Sequence, residues 1–189
     1  MHDLDTIRRR EGFAFLAAFA ACVPLANWMI GNVGTVCVPN GPCLIPVAPG
    51  GLTAPSAVLV IGVALVLRDL VQRRLGLKWA FLAVLIGAAL SALLAPPALV
   101  LASVAAFLLS ETADLFVYTP LQRRGLVLAV VASSLVGLVV DSVAFLSLAF
   151  GSLDFLSGQV VGKLWAVVLA VPVVHWLRRR DDERGLLPA

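Results

Sequence analysis

The chain of 189 residues is 61% hydrophobic and 13% charged, with a formal net charge of +3 and a mean hydropathy of +1.02. Soluble domains are about half apolar and about a quarter charged. Too few charged residues are available here to clothe an apolar interior, which excludes water-soluble enzymes and nucleic-acid binders and makes the chain an integral membrane protein. Its apolar runs are continuous and about twice the roughly ten residues of a barrel strand, so an all-α bundle is predicted rather than a β-barrel. In chain order, helices are predicted over 12–30, 52–71, 79–95, 98–120, 126–150 and 155–177, each near the roughly 20 residues that cross hydrocarbon. Pro96-Pro97 separates the third from the fourth. Arg8-Arg9-Arg10 ahead of the first run resemble the start of a signal peptide, but the run is long for an h-region. With no long linker, clear repeat or low-complexity segment, residues 1–189 read as one transmembrane domain.

Charge orients this bundle. Arg8, Arg9 and Arg10 precede helix one; Arg68, Arg73, Arg74 and Lys78 join helices two and three; Arg123 and Arg124 join four and five; Arg178, Arg179, Arg180 and Arg184 follow helix six. Only Lys163, of the fourteen Lys and Arg residues, falls elsewhere. By the positive-inside rule six spans with both termini cytoplasmic satisfy every loop, and the basic pI of 9.1 reports topology rather than lipid or nucleic-acid recognition. Arg68-Asp69, at the inner end of helix two, reads as an interfacial pair that snorkels.

The uncharged outer loop from Gly31 to Gly51 holds Cys37 and Cys43 around the turn-forming stretch Pro39-Asn40-Gly41-Pro42, so a disulfide is chemically feasible in an oxidising exterior. Two thiols without partnering His or acid ligands argue against a metal site. Cys22, inside helix one, reads as a small apolar packing residue.

Glu111, Asp114, Asp141 and Lys163 fall inside the predicted spans. Each costs roughly 2.5 to 3.5 kcal/mol at mid-bilayer even on the lenient insertion scale, so such groups face a bundle interior and find partners. At 1.5 Å per residue, Lys163 lies about 12 Å below the outer end of helix six and Asp141 about 13 Å below that of helix five, close enough in depth to pair. On helix four, Ser103, Phe107, Ser110, Glu111, Asp114 and Tyr118 follow three- and four-residue steps and share a stripe. Three carboxyls against one ammonium leave a formal −2, which calls for a counter-cation, protonated carboxyls or a water-filled cavity. Each remedy points to a small-molecule or proton site; the plainer reading is that these groups only join helices by hydrogen bonds.

The residues also carry a resemblance. Asn27, the stretch Leu52-Thr53-Ala54-Pro55 running to Leu67-Arg68-Asp69-Leu70-Val71-Gln72-Arg73-Arg74-Leu75-Gly76, Ser103 with Glu111 and Asp114, Asp141-Ser142 with Phe145, and Lys163 with Pro172 resemble, in order, the queuosine-precursor transporter family, also called the vitamin uptake transporters. The resemblance implies a six-helix inner-membrane importer similar in fold to the substrate-binding subunits of energy-coupling-factor transporters. It implies a 7-deazaguanine substrate, the cyano or aminomethyl precursor of queuosine, and no cofactor. Two positions depart from the pattern: Glu111 stands where glutamine is frequent, and Leu138 of Gly137-Leu138 stands where asparagine is common.

The expected substrate-binding set is Asn27, Ser103, Glu111, Asp114, Asp141, Gln159 and Lys163. Glu111 is the candidate acceptor for the adjacent ring N–H and exocyclic amine of a guanine-like edge. Lys163 would hold Asp141 ionised or bond a carbonyl oxygen itself, and Asn27 and Gln159 would complete the lining. Trp28 and Phe145 are read as core packing before stacking on a base, and Trp165 as facing away. An intramembrane aspartyl protease is disfavoured, because Asp141 follows Leu138-Val139-Val140 instead of a Gly-x-Gly motif. A binding subunit of an energy-coupling-factor system is the main rival: Ala14, Ala17, Ala18 and Ala21 offer a small-residue docking surface for a coupling module or a second copy of the chain. A purely structural membrane protein is the remaining alternative.

Overall fold

The computed structural model describes residues 2–38 and 41–186. Six α-helices make up most of it: α1 (His2–Asn32), α2 (Val58–Leu75), α3 (Leu77–Leu94), α4 (Val100–Leu121), α5 (Leu126–Phe150) and α6 (Leu156–Arg184). Five of them are long and apolar enough to cross a membrane, and α2 is the exception. Its C-terminal half carries Arg68, Asp69, Arg73 and Arg74, so composition alone does not mark it as a span. The chain is a multi-pass, helical membrane protein.

Its surface is that of a protein solvated by lipid. Leu101, Phe116 and Leu169 point outward, whereas the buried set includes Ser133, Ser134, Ser142 and Gln159. Glycines let the helices approach closely. A Cβ on Gly62 would meet the Lys163 carbonyl of α6 at 2.7 Å, and one on Gly137 would meet Leu65 of α2 at 2.9 Å. The central core joins Leu65, Val66 and Leu70 of α2 to Tyr118 of α4, Leu138 of α5 and Val167 of α6.

Several boundaries differ from expectation. Helix α1 begins at His2, so Arg8, Arg9 and Arg10 lie within it, and α6 continues to Arg184. At 1.5 Å per residue these helices are about 46 and 44 Å long, longer than the roughly 30 Å hydrocarbon core, and their polar ends project beyond it. Arg73 and Arg74 belong to α2, as Arg68 does, rather than to a loop, since Gly76 alone joins α2 to α3. That glycine has φ 90°, a conformation that side chains rarely adopt.

A further difference is the segment between α1 and α2, which is a small sheet. Strands β1 (Val36–Cys37), β2 (Cys43–Ala48) and β3 (Leu52–Pro55) pair antiparallel in the order β1-β2-β3, so residues 52–55 are strand where helix two was expected. Gly50 and Gly51, with φ 88° and 84°, make the β2–β3 turn. Cys37 pairs opposite Cys43 and the two form a disulfide; Pro39 and Asn40 of the expected turn lie outside the described residues. The sheet packs on the start of α6. Trp165 donates its indole N–H to the Val47 carbonyl at 3.0 Å, and Gly158 leaves room for the Thr53 carbonyl.

Candidate functional site

At the sheet end of the bundle all six helices border one cavity of about 810 Å³, its mouth included. The C-terminal turns of α1 and the N-terminal turns of α2 supply apolar walls such as Val23 and Ile61, Phe107 and Phe145 add aromatic surface, and Glu111, Asp141 and Gln159 bring polar groups in from α4, α5 and α6. Pockets for small ligands have this mixture of apolar walls with few polar groups. Five of the expected site residues line it: Asn27, Ser103, Glu111, Asp141 and Gln159. Asp114 and Lys163 do not; they stand behind the wall. Trp28 is exposed on the outer surface of α1, whereas Phe145 borders the cavity.

Lys163 and Asp141 form the expected buried pair, Nζ to Oδ2 at 2.6 Å. Lys163 also donates to Ser142 Oγ at 2.8 Å and to Gln159 Oε1 at 2.6 Å, which engages all three ammonium protons. The lysine is therefore spent on α5 and α6. Ser142 passes its own proton to the Leu138 carbonyl at 2.6 Å, and Gln159, four residues before Lys163 on one helix face, keeps its amide Nε2 free.

The second cluster overturns the snorkelling assignment of Arg68-Asp69. Both side chains are fully buried. The Arg68 guanidinium contacts Asp69 at 2.8 Å, Glu111 Oε2 at 3.1 Å and Asp114 Oδ1, and it donates to Gln72 at 3.2 Å. Gln72 continues to Thr119 on α4, and Ser133 of α5 donates to Asp69 Oδ2 at 2.6 Å. A guanidinium spreads five donors over a rigid fork and so serves several carboxyls at once. This cluster floors the cavity, and Glu111 is its one carboxyl that borders the open space.

At the opposite end, a third cluster ties α1, α2 and α6 together. Asp181, fully buried, accepts from Arg73 Nε at 2.9 Å and from Arg74 at 2.8 and 2.7 Å; Glu11 accepts from Arg74 at 2.8 Å and Arg180 at 2.6 Å. Asp181 lies beyond the apolar part of α6. Burial alone would raise its carboxyl, but hydrogen bonds and attraction from Arg74 and Arg73 outweigh that and hold it below the ordinary aspartate range. These arginines are thus packed ion pairs as well as topogenic charge.

Five polar groups facing the cavity make no hydrogen bond among the described residues: the hydroxyls of Ser91 and Ser103, Asn27 Oδ1, Gln159 Nε2 and Glu111 Oε1. Asn27 uses only its Nδ2, on the Val23 carbonyl at 2.9 Å. Donors and acceptors are therefore both available to a ligand. Ser91 was not among the expected residues; a lone serine in an apolar run carries no signal of which neighbour it faces.

No curated protein and no solved structure matches the chain. A family model described as "Putative vitamin uptake transporter" matches residues 92–177, the segment that supplies Glu111, Asp114, Asp141, Gln159 and Lys163. It is the family that the sequence resembles. Through this segment, from the end of α3 into α6, the chain is similar to the vitamin uptake transporter family.

Proposed function

We propose that the chain is an importer of 7-deazaguanines, the cyano and aminomethyl precursors of queuosine or a close nucleobase-like relative. It would sit in the inner membrane with six spans and both termini cytoplasmic. The observation that carries this reading is the set of unpaired donors and acceptors on one cavity: Gln159 Nε2, Ser91 and Ser103 against Asn27 Oδ1 and Glu111 Oε1. A nucleobase has an apolar face and a polar edge of alternating donors and acceptors, and a cavity with apolar walls and both kinds of group is suited to it. Because Arg68 occupies Glu111 Oε2, the glutamate offers one free oxygen rather than two. The side-by-side N–H donors of a guanine-like edge then divide between Glu111 Oε1 and a second acceptor, for which Asn27 Oδ1 is available. Asp114 and Lys163 act from behind as positioning residues, through Arg68 and Asp141.

The test is binding of the aminomethyl and cyano deazaguanines to the detergent-purified protein, with riboflavin and biotin as controls. Buried carboxyls outnumber cations around the cavity, so the cationic aminomethyl form is expected to bind more tightly. Equal or tighter binding of the cyano form refutes that electrostatic reasoning, and binding of neither refutes the substrate class.

A second reading, a binding subunit that needs a coupling module, is favoured by one observation: Ala14, Ala17, Ala18 and Ala21 all lie exposed on α1. Uptake in cells lacking any such module decides against it.

A further inference from the structure

We propose that Glu111 is a proton-exchange site: with the cavity empty its Oε1 carries a proton, and entry of a cationic ligand releases that proton into the cavity. The first half stands on the buried geometry; the second rests on the importer reading.

The geometry is a shortage of cations. Arg68 alone among the described residues contacts Asp69, Glu111 and Asp114, so one positive charge serves three buried carboxyls. Lys163 gives no help, since its three protons are held by Asp141, Ser142 and Gln159. One charge offsets one carboxylate, and each further ionised carboxylate in a dry bundle costs several kcal/mol. Three oxygens in the cluster accept no hydrogen bond among the described residues: Asp69 Oδ1, Asp114 Oδ2 and Glu111 Oε1. Asp114 Oδ2 is sealed against α5, where a Cβ on Gly137 would lie 3.1 Å away, and has no path for exchange. Asp69 Oδ1 lies 2.8 Å from the Arg68 guanidinium in an ion contact, Ser133 donates to Oδ2, and Asp69 does not line the cavity. Glu111 combines an unpartnered oxygen with a place on the cavity wall.

Every charged neighbour fits this role. From α2 Glu111 faces Arg68 and Asp69, on its own helix Asp114, and across the cavity Asp141, which is tied to Lys163 of α6. From α1 the wall brings only the Cys22 thiol among titratable groups, and α3 brings Ser91, which does not titrate. When an ammonium enters, the Oε1–H bond breaks, the proton leaves to cavity water and the ligand N–H takes its place on the oxygen. One positive charge enters as one leaves, so the buried charge is unchanged.

Infrared spectroscopy of the purified protein reads this directly, because a protonated carboxylic acid has a carbonyl stretch that a carboxylate lacks. The band is expected in the ligand-free protein, to shift in deuterated water, and to disappear in Glu111→Gln while surviving in Asp69→Asn. Should Glu111→Gln fail to fold, Glu111→Asp shifts the band and serves instead. Adding aminomethyl deazaguanine is expected to remove the band, and its affinity to rise about tenfold per pH unit while the proton is held, a dependence lost in Glu111→Gln. No acid band, or one that survives Glu111→Gln unchanged, overturns the proton site. Affinity independent of pH in the unmodified protein overturns the exchange. A band that behaves as expected without any deazaguanine binding leaves the proton site standing and refutes the substrate reading.

Discussion

Replacing Lys163 with methionine keeps an unbranched side chain one heavy atom shorter and removes its charge, which isolates what the ammonium does. In the folded protein Nζ lies 2.6 Å from Asp141 Oδ2 and holds Ser142 and Gln159 as well, with no exposed surface. At an effective dielectric of about 20 two unit charges at that distance attract by about 6 kcal/mol, a gross figure set against the cost of burying them. Truncating one partner of such a pair costs about 3–5 kcal/mol, because the other charge is left buried and uncompensated. Lys163→Met is therefore expected to lose about 4 kcal/mol in reversible unfolding from mixed micelles. Neutralising the orphan in Lys163→Met/Asp141→Asn should recover about 2 kcal/mol of it, with the single Asp141→Asn variant closing the cycle. A loss below about 1 kcal/mol, or no recovery in the double variant, would refute a buried ion pair between α5 and α6. Ligand binding measured on the double variant separates roles: recovery of stability without recovery of binding marks Asp141 as part of the cavity chemistry rather than a mere helix fastener.

Arg68→Met should be at least as damaging, about 3–5 kcal/mol, since three carboxyls lose their one cation; Arg68→Lys should recover only part, because an ammonium cannot span Asp69, Glu111 and Asp114, and equal stability of the two variants would contradict the shared-fork geometry. Asp181→Asn is expected to cost about 2 kcal/mol at neutral pH through weakened bonds from Arg73 and Arg74. The Asp181 carboxyl is held low in the folded state, so its contribution is present above the unfolded value near 3.8 and lost as pH falls through the folded one; unfolding curves of variant and parent should converge only in that acidic range. Gly158→Ala places a Cβ against the Thr53 carbonyl, backbone that cannot step aside, and should destabilise by about 1–3 kcal/mol; an unchanged unfolding midpoint would mean β3 does not rest on α6 as described.

Much of this protein is written in local sequence. A run of 25 apolar residues has one stable state in hydrocarbon, a helix with every backbone group paired internally, and the bounds expected for α5, 126–150, are those observed. Asp141 and Lys163 were legible for the same reason: charges at similar depth on consecutive helices can escape the bilayer only inward, toward each other. The small sheet between α1 and α2 was not legible, because its pairing of residues 43–48 with 52–55 depends on a two-glycine turn inside a stretch rich in Pro and Gly that reads locally as loop. The arginines were misread for a related reason. A positive charge near the inner end of a helix has the same sequence signature whether it meets lipid headgroups or another helix, and only the packing of α2 against α4 and α6 turns Arg68 inward to three carboxyls and Arg73 and Arg74 to Asp181. Which face of a polar stripe meets open space is likewise a tertiary fact. Glu111 and Asp114 are three residues apart on one helix, yet one borders the cavity and the other is sealed behind it, because side-chain spacing fixes a face while neighbouring helices decide what that face touches.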